Sequence, residues 1–150
     1  MEVYERWVRG TFYVSDVMSK PVRTVPESSL MPNAIREMAN HRIGCLVVTN
    51  NEKPVGIITE GDILRRGLAA DLNLKTTEVG ELMSAPLITI SEDATIEAAA
   101  SMMTAKGIRR LPVLKKGKLV GVITATDIIR KEPVLVRLLD ELIQSKRKIK

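Results

Sequence analysis

The chain repeats itself. Met18, Pro21, Thr24, Glu27, Ala34 and Met38 recur as Met83, Pro86, Thr89, Glu92, Ala99 and Met103. Farther on, Ile43, Leu46, Val48, Val55, Gly56, Thr59, Asp62 and Ile63 recur as Ile108, Leu111, Val113, Val120, Gly121, Thr124, Asp127 and Ile128. Each pair is separated by the same interval as Met18 and Met83, so the two copies align without a gap. A duplicated unit decides the architecture before any single residue is weighed, since both copies must fold alike. A lone unit of about 60 residues is marginally stable, so the two copies are expected to bury surface together.

Periodicity assigns each copy the order β-α-β-β-α, a mixed α/β (α+β) fold. Short strands around "VRTV" and "LITI" are followed by amphipathic helices, then by the hairpins "CLVVT"/"PVGIIT" and "LPVL"/"KLVGVIT", and then by second helices. The hairpin turns are "NNEK" and "KKG". In the second copy, the helix "TIEAAASMMTAKG" is expected to be capped by Thr95 and to stop at Gly107. Its counterpart is expected to begin at Ser28 or Ser29, with Pro32 tolerated because it lies in the first turn. The chain divides into an N-terminal arm (1–13), a first repeat (14–70), a linker (71–78), a second repeat (79–131) and a C-terminal segment (132–150). That last segment reads as an amphipathic helix with Val134, Leu135, Leu138, Leu139 and Leu142 as its apolar stripe, followed by a basic tail. The aromatic residues Tyr4, Trp7, Phe12 and Tyr13 all precede the first repeat and are expected to pack over it as a clasp, or to serve as a dimer contact or a lid.

Composition removes several classes of function. Cys45 and His41 are the only cysteine and histidine, so one chain cannot assemble a disulfide, a zinc cluster or a Cys/His catalytic pair. His41, at a helix end, reads as an ordinary exposed residue. Enzymatic catalysis and a bound metal are therefore not expected. No apolar run reaches the roughly 18 residues of a membrane span, and no signal peptide is evident, so the expected location is the cytoplasm. The formal net charge is +5, part of it in the tail "SKRKIK", which permits a polyanionic partner.

A Met-x-x-Pro opening (Met18 to Pro21, Met83 to Pro86), a helix with internal Ala and Met, and a hairpin ending in Gly-x-x-Thr-x-x-Asp together resemble a cystathionine-β-synthase (CBS) domain. Two tandem copies, covering roughly Val14 to Arg130, resemble a Bateman module. The resemblance implies a pseudo-twofold pair of α/β units that binds adenosine nucleotides in clefts between the repeats and often dimerises through its helices. Each cleft would combine the Thr/Asp element of one repeat with the first strand and pre-hairpin residues of the other.

The side chains fit such a ligand. A carboxylate can accept both hydroxyls of a ribose 2′,3′-diol, a role open to Asp62 and Asp127. Thr59, Thr124 and Thr126, at helix starts, suit a phosphate. Gly56 and Gly121 would permit close backbone approach in the preceding strand. Thr-x-x-Asp is equally the pattern of a capping box, so a purely structural role stays open for these residues. The implied better site comprises Thr59 and Asp62 with Ile88, Thr89, Ile108, Arg109 and Arg110, the two arginines forming a phosphate clamp. The implied weaker site comprises Arg23, Thr24, Ile43, Gly44 and Cys45 with Thr124, Thr126 and Asp127. Glu60, if it points into the better site, disfavours a triphosphate, so AMP or ADP comes first there, followed by ATP or S-adenosylmethionine.

The leading expectation is thus a stand-alone, non-catalytic adenine-nucleotide sensor, forming a homodimer and acting on a separate effector protein, since both termini are short. No obligatory cofactor is expected, the nucleotide being a regulatory ligand. Two alternatives remain: a nucleic-acid-binding module, and a dimerisation module with vestigial clefts.

Overall fold

The computed structural model describes residues 10–130 and 140–144. In chain order the elements are α1 (Val14–Val17), β1 (Thr24–Pro26), α2 (Met31–His41), β2 (Cys45–Asn50) and β3 (Lys53–Thr59). Then come α3 (Glu60–Asp62), continuing as a π-helical turn over Ile63–Leu68, a 3-10 turn (Leu74–Thr76) and α4 (Val79–Leu82). The second copy follows with β4 (Ile90–Ser91), α5 (Ile96–Lys106), β5 (Arg110–Lys115), β6 (Lys118–Thr124) and a helix, α6, over 125–130. The β-α-β-β-α order holds in both copies. The short helices α1 and α4 were not anticipated from the apolar pattern, since four residues hold only one turn. Tyr4, Trp7, the basic tail and most of the C-terminal apolar stripe lie outside the described residues; 140–144 are helical, with Leu142 half-buried.

The chain forms two compact units, one spanning Val22–Ile88 and the other joining the residues up to Pro21 with those from Thr89 onward. Each unit carries one three-stranded sheet, ordered β1-β2-β3 or β4-β5-β6, with its first pair parallel and its second antiparallel. Both hairpins shift register at equivalent places, between Val48 and Thr49 and between Val113 and Leu114. In the Val22–Ile88 unit, Val25, Leu46, Val48 and Ile58 from the sheet close on Met31, Ala34 and Met38 of α2 and on Val79 and Leu82 of α4. Apolar burial of this kind is the main force holding such a unit together, at about 25 cal/mol per Å² removed from water.

The helix α5 starts and stops as its sequence dictates: Thr95 Oγ1 accepts the Ala98 N–H at 3.1 Å, and Gly107 ends it in the left-handed conformation. The helix α2 does not start at Ser28 or Ser29. It begins at Met31, after Leu30, with no side-chain cap. The Met31 N–H is taken by the Thr77 carbonyl at 2.9 Å, so a tertiary bond does what a serine hydroxyl was expected to do. Pro32 does lie in the first turn.

Within each unit, the segment that opens one sequence repeat pairs with the last strand of the other repeat. Ser84, in the Met-x-x-Pro element that opens the second repeat, pairs with Ile57 of the first repeat's β3 through N–H···O bonds of 2.8 and 3.0 Å. Ser19, in the first repeat's opening, pairs in the same way with Val122 of β6, at 2.9 and 3.1 Å. Gly56 and Gly121 make this possible. A Cβ on Gly56 would lie 2.7 Å from the Ser84 carbonyl oxygen, and one on Gly121 would lie 2.6 Å from Met18 Sδ. The close approach foreseen at these glycines is therefore made by the chain's own opening segments. The end of the aromatic arm joins the same unit as the second repeat, where Phe12 is buried and its carbonyl accepts the Ile96 N–H.

Candidate functional site

The Thr-x-x-Asp elements sit where β3 and β6 run into helices. The Thr59 Oγ1 accepts the Asp62 N–H at 3.1 Å, while an Asp62 carboxylate oxygen accepts the Thr59 N–H at 3.0 Å. Thr124 and Asp127 repeat the arrangement at 3.0 Å each way. Both elements are reciprocal capping boxes, so the structural role is real at both positions. It does not exhaust the carboxylates, since each offers about four lone-pair sites and the cap uses one.

The two aspartates differ in surroundings. Asp62 is only 5% exposed, and the Ser84 hydroxyl donates to it, 3.2 Å from Oδ1 and 3.4 Å from Oδ2. Asp127 is half-buried, its hydroxyl donor Ser19 stands at 3.4 Å from both oxygens, and Thr126 beside it is exposed. Ser19 and Ser84 were missed as site residues. The signal was present, because they too are related by the repeat interval, inside an element read only for its Met and Pro.

The expected nucleotide sites divide between the two units. Thr59, Asp62 and Ile88 lie in one, together with Arg23, Thr24, Ile43, Gly44 and Cys45; Thr89, Ile108, Arg109 and Arg110 lie in the other with Thr124, Thr126 and Asp127. Within each unit, the pre-hairpin residues are brought to the Thr/Asp element. Cys45 is in register with Thr59, and the Gly44 carbonyl accepts the Glu60 N–H at 3.0 Å. Arg110 is in register with Thr124, and the Arg109 carbonyl accepts the Ala125 N–H at 2.9 Å. One sheet end thus carries two cationic residues, and the other carries a glycine, a half-buried cysteine and an acid. Arg109 is exposed and Arg110 half-buried. Thr24 is in register with Val47, next to Arg23, whose carbonyl accepts the Val47 N–H. Ile88 and Thr89 are half-buried just ahead of β4.

Glu60 is exposed and lines an apolar groove of about 600 Å³ with Arg42, with Ile35 and Met38 of α2, with Ile63, Leu64 and Leu68 of the π-helical turn, and with Leu74 of the 3-10 turn. His41 Nε2 lies 3.0 Å from Glu37 Oε2, one helical turn away. Among the described residues, no group of three or more His, Cys, Asp or Glu could hold a metal ion, and no helix is long and apolar enough to cross a membrane.

The family model described as CBS domain matches twice, over residues 14–69 and 79–133. The chain belongs to the CBS-domain family. Its two CBS repeats are 35% identical, over 130 residues, to an uncharacterized protein of Methanopyrus kandleri, covering 85% of this chain and 66% of that one. Hypoxic response protein 1 of Mycobacterium tuberculosis is 33% identical over 119 residues, covering 79% of this chain and 83% of the relative. Among solved structures, a CBS domain protein of Pyrobaculum aerophilum complexed with AMP matches with a TM-score of 0.75 and 29% identity, over 85% of this chain and 98% of that one. The CBS domain pair of protein MJ0100, in complex with 5′-methylthioadenosine and S-adenosyl-L-methionine, matches with a TM-score of 0.71 and 31% identity, over 80% and 94% of the two chains. The mixed α/β fold with two three-stranded sheets is that of these CBS pairs.

Proposed function

We propose that this chain is a non-catalytic regulatory module that binds an adenosine ligand, AMP or ADP before ATP or S-adenosylmethionine. The observation that carries the reading is the duplicated carboxylate at a Thr-capped helix start, Asp62 and Asp127, each already accepting from a side-chain hydroxyl as it would from a ribose diol. Structures of CBS relatives complexed with AMP and with S-adenosylmethionine support the ligand class. Arg109 and Arg110 supply charge for a phosphate. Thr59, Thr124 and Thr126 supply hydroxyls, and Ile43, Ile88 and Ile108 supply apolar surface for a base.

Calorimetric titration of AMP, ADP, ATP and S-adenosylmethionine into the wild type, Asp62→Ala and Asp127→Ala checks this. Binding of at least one ligand, weakened by at least one of the substitutions, is the expected result. No heat at millimolar ligand would sink the proposal.

The apolar groove on α2 favours a second element of the reading, a homodimer formed through the helices. Leu64 and Leu68 are 58% and 55% exposed at its edge, and Arg42 and Glu60 on its wall have opposite charges that a twofold-related copy would bring into complementary pairs. Changing both leucines to lysine should convert a dimer to a monomer in light scattering. A double variant with unchanged mass would place the dimer contact elsewhere.

A further inference from the structure

The hydroxyls of Ser84 and Ser19 come from the segment that opens the opposite sequence repeat, yet they are donated to the carboxylates read above as ribose acceptors. We propose that Ser84 competes with a ligand hydroxyl for Asp62, so that binding at Asp62 releases the segment that starts the second repeat. The inference rests on the reading of Asp62 as a ribose acceptor. Asp62 is only 5% exposed, and each of its oxygens already meets a donor, the Thr59 N–H on Oδ2 and the Ser84 hydroxyl nearest Oδ1. A diol that addresses both oxygens meets the Ser84 hydroxyl at Oδ1 and competes with it there.

Ser84 is not an isolated donor. Its own N–H and C=O are paired with Ile57, Met83 lies against Gly56, and Arg66 Nη1 donates to the Met83 carbonyl at 3.0 Å and the Leu82 carbonyl at 3.4 Å. The stretch Leu82–Ser84 is thus clamped by the first repeat through one side-chain bond, one guanidinium and one backbone pair. Two residues beyond Pro86 the chain leaves this unit. Removing the Asp62 contact loosens the clamp at its polar end, which gives ligand occupancy a mechanical consequence in the linking segment. The Ser19–Asp127 contact has the same form, with its nearer oxygen at 3.4 Å instead of 3.2 Å and a more exposed carboxylate, so the competition there is weaker.

The test uses the full chain and AMP. Ser84→Ala should bind AMP about five- to tenfold more tightly than the wild type, the worth of one modest hydrogen bond, whereas Ser84→Thr, which keeps the hydroxyl, should match the wild type. Ser19→Ala should shift affinity less. In the wild type, AMP should speed hydrogen exchange at the Ser84 and Ile57 amides, a readout that needs no variant to fold. Unchanged or weaker binding by Ser84→Ala, or AMP leaving those amides equally or better protected, would overturn the competition. If Asp62→Ala abolishes binding while Ser84→Ala is neutral, the competition alone fails. If Asp62→Ala binds AMP like the wild type, the ribose-acceptor reading of Asp62 fails with it.

Discussion

Arg42 and Gly107 end equivalent helices in the same left-handed conformation, at φ 52°, ψ 46° and φ 66°, ψ 34° respectively. Glycine accepts that region freely, whereas a side chain meets its own backbone there. The first copy therefore carries a strain that the second lacks. The hairpin turns repeat the contrast, with Glu52 at φ 67° where the second copy has Gly117 at φ 78°. Arg42→Gly should raise stability by about 1 kcal/mol, seen as a higher urea midpoint with an unchanged slope. Arg42→Ala, which keeps a Cβ, should give no comparable gain, and equal midpoints for the two variants would show that the turn is not strained.

Gly56→Ala should cost about 3 kcal/mol, the upper end for overpacking, because the new methyl would press on the Ser84 carbonyl oxygen, a backbone atom held in its own pairing. Gly121→Ala should cost less. Its nearest obstacle is the Met18 thioether, whose side chain can turn aside, and the Ser19 carbonyl oxygen stands farther off at 3.1 Å. Thermal unfolding of the two variants side by side checks the order.

Asp62→Ala should destabilise the chain by about 3 kcal/mol, combining a lost cap with an emptied buried position and a part-buried Ser84 hydroxyl left without its acceptor. Asp127→Ala should cost about 1 kcal/mol, since water can reach the groups it abandons. The comparison needs no ligand, so chemical denaturation alone suffices, and equal losses would contradict the difference in burial.

Arg109→Ala combined with Arg110→Ala should weaken AMP binding by about tenfold or more and leave adenosine binding nearly unchanged, because guanidinium groups act on the phosphate that only AMP carries. A parallel loss for both ligands would assign the arginines to folding instead. Competition titrations at constant ionic strength separate the two.

Much of the fold was legible because duplication doubles every signal. The hairpins, the Thr95 cap, the Gly107 stop and the first-turn proline were each supported by local chemistry that the tertiary structure left undisturbed. The start of α2 was not legible. Ser28 and Ser29 are good caps in isolation, but a carbonyl from Thr77, far along the chain, supplies the acceptor first. The candidate site was half legible for the same reason. Thr59, Asp62, Thr124 and Asp127 announce themselves by spacing, whereas Ser19 and Ser84 reach carboxylates 108 and 22 positions away in sequence. Local pattern does not encode such partners.

The pairing of opening segments across repeats also imposes an order on synthesis. The unit from Val22 to Ile88 is one continuous stretch and can close as soon as its last residues emerge. The other unit needs Ser19 to meet Val122, so that pairing must wait until β6 has been made. Contacts of that sequence separation form slowly. Ser19 is therefore secured late although it is made early, and truncation ahead of Val122 would remove its backbone pair.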